Sequence, residues 1–173
     1  MKKNKLSIVI SAHNEEAIID KCLKAASFAD EIIFIDSAST DNTIAIAKEY
    51  TNKIYTRQNN LMLNVNKNFG FTKATGDWIL SLDSDEQITP ELKNEILSAI
   101  SHMPPTISGY WIPRKNIIFG KWIQSDMWWP DYQLRLFKKG LGRFPEVHVH
   151  EYIKVEGGEA KLTNALMHQN YTS

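Results

Sequence analysis

Four times in its first hundred residues the chain repeats one pattern: a short apolar run, a polar exit, then residues at helical spacing. The runs are Leu6 to Ala12, Glu31 to Asp36, Lys53 to Thr56 and Trp78 to Leu82. Between them, Ile18, Ile19, Cys22, Leu23 and Ala26 recur at helical spacing, with Asn14 as a cap. A second helix, capped by Thr40 or Asp41, runs to about Tyr50. Asn64 to Ala74 reads as a third, with Val65, Phe69 and Ala74 on its buried side, and Pro90 opens a fourth that reaches Ile100. Runs that are apolar throughout, rather than alternating, belong to strands covered on both faces. Such strands alternating with helices predict a parallel sheet joined by right-handed crossovers. The fold class is therefore α/β, Rossmann-like, with a mostly parallel central sheet flanked by helices.

The run Trp78-Ile79-Leu80-Ser81-Leu82 ends on Asp83-Ser84-Asp85-Glu86. In open α/β sheets ligands bind at the carboxyl ends of the strands. Two carboxylates one residue apart at such an end suit Mg²⁺ or Mn²⁺, which take one or two protein carboxylates plus substrate oxygens. The bland alternative is a set of solvated loop charges leading into a helix capped at Thr89-Pro90-Glu91.

After Pro104-Pro105 the character changes. Ser108 to Pro113, Asn116 to Phe119, Tyr132 to Lys138, Tyr152 to Val155 and Ala165 to His168 read as short strands. The loops between them are rich in Trp, Gly and Pro, and four of the five tryptophans lie between Trp111 and Trp129. Aromatic and polar loops over a sheet edge commonly build a second substrate site. With no linker or repeat, residues 1–173 read as one domain in two halves, 1–103 and 104–173.

Twenty basic residues balance twenty acidic ones, so bulk charge gives no reason to expect a nucleic-acid partner. A single cysteine, Cys22, cannot form an intramolecular disulfide and fits a reducing compartment. The apolar run after the basic start is too short for a signal peptide, and nothing approaches a membrane span. The expected location is cytoplasmic, or peripheral on the inner face of the cell membrane.

Four patterns occur in fixed order: Ser11-Ala12-His13-Asn14-Glu15-Glu16, Asp36-Ser37-Ala38-Ser39-Thr40-Asp41-Asn42-Thr43, Asn68-x-Gly70-x-x-x-Ala74-x-Gly76-Asp77, and Asp83-Ser84-Asp85. The set resembles the GT-A fold of the family 2 inverting glycosyltransferases. Gly109 to Arg114, Gly120 to Ile123, Pro130 to Phe137 and Val149-His150-Glu151 resemble the branch that builds bacterial lipopolysaccharide cores, of β-1,4-glucosyltransferase type. Members of that branch continue past the position of Ser173 with basic amphipathic helices, so this chain is expected to be a short member or to lack a membrane-associating extension.

The resemblance implies a UDP-sugar donor held by residues 1–103, an oligosaccharide or lipid-linked glycan acceptor bound by residues 104–173, and a divalent metal, Mn²⁺ or Mg²⁺. It implies that Ala12, His13, Asn14 and Glu15 line the uracil and that Asp36 accepts a hydrogen bond from it. Lys67 meets the base or the diphosphate, Asp83 with Ser84 meets the ribose or metal-bound water, and Asp85 binds the metal. His150 is the expected further metal ligand, alternating along a strand with His148. Inversion needs a base opposite the leaving group; Asp131 is the first candidate and Glu151 the second. Trp128 or Trp129 stacks on an acceptor sugar, and Arg135 pairs with a phosphate or orients Asp131. Rival readings are a sugar nucleotidyltransferase, which calls for a Gly-rich loop where His13-Asn14-Glu15-Glu16 stands, and a non-catalytic nucleotide-sugar binding module.

Overall fold

A computed structural model describes residues 3–59, 63–102, 104–125, 128–146 and 151–171. Strands β1 (Leu6–Ala12), β2 (Glu31–Asp36), β3 (Ile54–Thr56) and β4 (Trp78–Asp83) lie in the order β3-β2-β1-β4, all parallel. Helices α1 (Ile19–Ala26), α2 (Thr43–Ala47) and α3 (Leu63–Lys73) make the crossovers. Strand alternation divides β1 between two cores. Leu6, Ile8, Ile10 and Ala12 pack with Ile19, Cys22 and Leu23 of α1 and with Leu92, Ile96 and Ile100 of α4 (Pro90–His102). Val9 points the other way, into a core with Ile33, Ile35, Phe71 and Ile79. Each such aliphatic side chain contributes roughly 1.5–3 kcal/mol when fully buried.

Two helix expectations need correction. Helix α1 begins only at Ile19, and Asn14 caps nothing; its side-chain oxygen instead accepts the Thr40 amide at 2.8 Å, tying the loop after β1 to the loop after β2. On α3 the buried residues are Asn64, Asn66, Gly70 and Phe71, with Val65 and Phe69 only partly buried, while Ala74 just beyond the helix is buried as expected. The helix lies so near the sheet that a Cβ at Gly70 would be 2.5 Å from Val9 Cγ1, and Asn66 is satisfied inside by Ser37 Oγ at 2.8 Å and Arg57 Nε at 3.0 Å.

The second half adds β5 (Glu86–Ile88), β6 (Ile107–Ile118), β7 (Lys121–Trp122), β8 (Asp131–Lys138), β9 (Gly142–Arg143), β10 (Lys154–Val155), β11 (Gly158–Lys161) and β12 (Leu166–Tyr171). The sheet continues from β4 as β8-β6-β12-β5, while β9 and β10 pair apart from it. Since β8 is antiparallel to both β4 and β6, and β12 is parallel to β6, strands β6 and β12 end at the same edge as β1 and β4. The two strands expected around Pro113 are one. Strand β11 pairs with β6 up to Trp111 and β12 takes over at Arg114, so Pro113 sits in the gap, where a missing N–H leaves no ladder bond unmade on that side.

Candidate active site

Two cavities open at this shared edge. The first, about 270 Å³, lies in the crevice between the ends of β1 and β4, where the strand order reverses. Ala12, His13, Glu15, Lys67, Asp83, Ser84, Asp85 and His168 line it. The second, about 340 Å³, is lined by Arg114, Asp131, Gln133, Arg135, Glu151 and Tyr152. Lys67 and Asp83 belong to both and form the wall between them.

The first cavity's floor is set by backbone geometry. Asn14 has a φ of 53°, a left-handed conformation that Asn tolerates better than most residues. His13 Nδ1 donates to the Ser37 carbonyl at 2.7 Å, and the Glu15 amide donates to Thr43 Oγ1 at 2.8 Å. Asp36 does not reach the cavity wall: it is 0% exposed and its carboxylate accepts the Ser39 amide at 3.2 Å. That bond holds the loop after β2 against the strand end. Burial raises the Glu15 carboxyl above its ordinary range; the Ser84 hydroxyl opposes the shift, and the charges of Asp85 and Asp41 reinforce it.

An ionic cluster forms the wall and the floor behind it. Lys67 Nζ bonds Asp83 Oδ1, and Arg135 Nη2 bonds both Asp83 Oδ2 and Glu86 Oε1, the latter at 2.8 Å. Burial alone would raise the Asp83 carboxyl, but Arg135 and Lys67 outweigh it and hold the group well below the usual carboxylate range. Arg135 reaches this position because it is bulged out of β8: Tyr110 pairs with Leu136 and Trp111 with Leu134, leaving Arg135 unopposed. Its guanidinium engages Asp83 and Glu86 rather than Asp131, which corrects the expected orienting role.

That role belongs to Arg114. Its Nε and Nη2 lie 2.8 and 2.7 Å from Asp131 Oδ2, and Nη1 lies 3.6 Å from Glu86. Asn116 Nδ2 approaches the same oxygen at 3.2 Å, while Gln133 Nε2 donates to Oδ1 at 2.7 Å. Burial pushes the Asp131 carboxyl up, yet the Arg114 charge and these donors bring it below its ordinary value. Glu151, the second candidate base, lines the same cavity. Trp128 is 38% exposed beside this machinery, whereas Trp129 packs edge-on to Trp122 at 5.2 Å with Lys115 Nζ 4.5 Å over the Trp122 ring.

Asp85 meets an imidazole that the sequence did not single out. His168 Nε2 lies 3.0 Å from Asp85 Oδ2, and His168 Nδ1 lies 2.6 Å from Asn116 Oδ1. An amide oxygen only accepts, so Nδ1 carries a proton there, while Nε2 and the carboxylate oxygen face each other where either a proton or a metal ion can bridge them. A hard oxygen and an imidazole nitrogen are a donor pair that fits Mn²⁺, with open positions left for a ligand's oxygens. No group of three or more His, Cys, Asp or Glu placed to hold a metal occurs among the described residues. His150, the expected ligand, and His148 lie outside the described residues. Signals that could have pointed to His168 were a lone histidine two residues beyond the apolar Leu166, on the same strand face.

A curled, mostly parallel sheet with paired cavities at its carboxyl edge defines a GT-A-type fold. The chain belongs to glycosyl transferase family 2, whose sequence pattern it matches over residues 7–154. It is 29% identical to the lipopolysaccharide core biosynthesis glycosyltransferase LpsC of Rhizobium meliloti (strain 1021), over 94% of this chain and 62% of that protein. An uncharacterized glycosyltransferase of Rickettsia bellii (strain RML369-C) is 38% identical over 53% of this chain and 31% of its own length. The chain thus spans less than two thirds of either relative. Among solved structures, S. aureus TarS 1–349 in complex with UDP-GlcNAc superposes with a TM-score of 0.71 at 19% identity, covering 98% of this chain and 59% of TarS. Glucosyl-3-phosphoglycerate synthase from Mycobacterium tuberculosis, in complex with Mn²⁺ and UDP-glucose, gives 0.60 at 17% identity, covering 98% and 72%.

Proposed function

We propose that the chain transfers a hexose from a UDP-sugar to a glycan or lipid-linked acceptor, with inversion at the anomeric carbon and a divalent ion bound to the donor diphosphate. The observation that carries this reading is the pair of cavities sharing the Lys67–Asp83 wall, a cation-seeking pair (Asp85, His168) in one and a clasped carboxylate (Asp131) in the other. The UDP-sugars bound by TarS and by the mycobacterial synthase support the choice of donor. The relationship to LpsC supports an acceptor in lipopolysaccharide or other cell-surface glycan assembly. No helix among the described residues is long and apolar enough to cross a membrane, and we place the reaction in the cytoplasm, peripheral to the inner membrane face.

In this reading the donor lies in the first cavity, its base against Ala12 to Glu15 and its diphosphate near Lys67. Asp85 and His168 would hold Mn²⁺ or Mg²⁺, which supplies positive charge for the phosphate oxygens as the glycosidic bond breaks. The acceptor enters the second cavity, and the exposed Trp128 stacks on its sugar. Asp131 Oδ1 takes the proton of the acceptor hydroxyl; the oxygen bonds to the anomeric carbon, and the bonding pair leaves with UDP. Attack from one cavity and departure into the other is the arrangement that inverts the centre. Lys67 stabilises the departing diphosphate across the wall it shares with Asp83.

Calorimetric binding of UDP, with and without Mn²⁺, to the native chain and to Asp85→Ala tests the donor half. Mn²⁺ is expected to tighten binding by more than about tenfold, 1.4 kcal/mol, and the variant to lose that gain. Binding indifferent to both metal and substitution would overturn the assignment of the first cavity.

A further inference from the structure

Asn116 sits near the end of β6, 2% exposed, and touches both halves of the machinery. Its Oδ1 receives His168 Nδ1 at 2.6 Å; its Nδ2 faces Asp131 Oδ2 at 3.2 Å and the Trp128 carbonyl at 3.4 Å. The amide can stand only this way round. Turned over, its oxygen would face a carboxylate and a carbonyl, two acceptors with no proton to share. This orientation puts a proton on His168 Nδ1 and leaves Nε2 directed at Asp85.

We infer that Asn116 is a positioning residue that couples the cation site of the donor cavity to the base of the acceptor cavity. One end of the amide holds His168 so that Nε2 shares a cation with Asp85. The other end, with Arg114, pins Asp131 Oδ2 and leaves Oδ1, which accepts from Gln133 Nε2, as the oxygen presented to an acceptor. Partners of this kind behind metal-binding histidines typically change metal affinity by about 10–100-fold when removed. The inference rests on the function proposed above. It goes beyond it by assigning a residue that contacts neither substrate, yet sets the geometry for both.

The two ends of the amide can be separated by substitution. Asn116→Asp keeps an acceptor for His168 Nδ1–H but sets a carboxylate against Asp131, whereas Asn116→Leu removes both bonds. Mn²⁺ affinity in the presence of UDP, read by electron paramagnetic resonance, is expected to stay near native in Asn116→Asp and to fall about 10–100-fold in Asn116→Leu. Turnover falls in both, and UDP affinity without metal is unchanged in both. A purely structural role predicts parallel losses, so equal Mn²⁺ affinities in the two variants overturn the inference. Long-range ¹H–¹⁵N correlation of His168 in the native chain with UDP and Mg²⁺, assigned by its loss in His168→Gln, decides the matter without relying on folded Asn116 variants. Protonated Nδ1 with unprotonated Nε2 is expected, and the opposite tautomer overturns the inference. A native chain that binds UDP without any response to Mn²⁺ overturns the proposed donor site, and the coupling with it.

Discussion

At the scale of single residues, Asp131, the proposed base, is held in place at the expense of basicity. Burial would raise its carboxyl, but Arg114, Asn116 and Gln133 lower it below the ordinary aspartate range. A base must be ionised to accept a proton, so activity limited by Asp131 persists to a pH below about 3.9, the ordinary aspartate value. Arg114→Gln removes the strongest attractive charge, the carboxyl titrates higher, and the acid limb of kcat/KM moves to higher pH. Asp131→Asn is expected to lower kcat by about 10²–10⁴-fold while UDP affinity stays native. An acid limb that ignores Arg114→Gln, with turnover abolished in Glu151→Gln instead, would move the role to Glu151. The carboxylates were legible in the sequence because each closes an apolar run or follows an aromatic loop. His168 was not, because its value depends on β12 lying beside β5, a pairing across more than eighty residues that no local pattern announces.

Among the elements, the parallel strands and their helices declared themselves through uninterrupted apolar runs, whereas the second half hid behind exceptions to local rules. Pro113 reads as a strand break, yet β6 passes through it because its two neighbours on one side meet at that point. Arg135 reads as one more strand residue, yet a bulge turns it toward Asp83 and Glu86. Helix α3 misled in a third way: of its expected Val65, Phe69 and Ala74, Ala74 is buried and Phe69 packs partly buried at the core's margin, while the closest contact with the sheet is made by Gly70. Glycine inside a helix costs roughly 0.5–1 kcal/mol relative to alanine, so Gly70→Ala would ordinarily stabilise. Here the new methyl would lie 2.5 Å from Val9 Cγ1 and 2.9 Å from Ile35 Cγ1, both on central strands. Overpacking of this kind costs about 1–3 kcal/mol, so a net loss of stability is expected in urea unfolding. Because α3 also carries Lys67, the same variant should weaken UDP binding; unchanged stability would mean that the helix can lift away from the sheet.

Across the whole molecule, one carboxylate spans the edge opposite the cavities. Glu31, at the start of β2, receives Lys53 ahead of β3, Ser7 of β1, and the amides of Thr75 and Gly76 ahead of β4, so one side chain ties the amino ends of four parallel strands. Burial opposes its ionisation, but these donors win and bring its pKa from 4.5 down to about 2. A depressed carboxylate stabilises the folded state above the unfolded-state pKa and loses that contribution as pH falls through the folded one. The contribution of Glu31 is therefore complete above about pH 4.5 and fades between there and about pH 2. Glu31→Gln keeps the shape but not the charge, and hydrogen bonds to a charged group are worth roughly 1.5–3 kcal/mol. The variant should unfold at lower urea than the native chain at pH 7, and the gap between them should close as the pH is lowered across that window. Since Glu31 lies at the far ends of the strands whose carboxyl ends form the donor crevice, UDP affinity in the folded variant should match the native chain. A loss of UDP affinity with stability intact would show instead that the strand ends are mechanically linked across the sheet, and that the cavity geometry is set from its base.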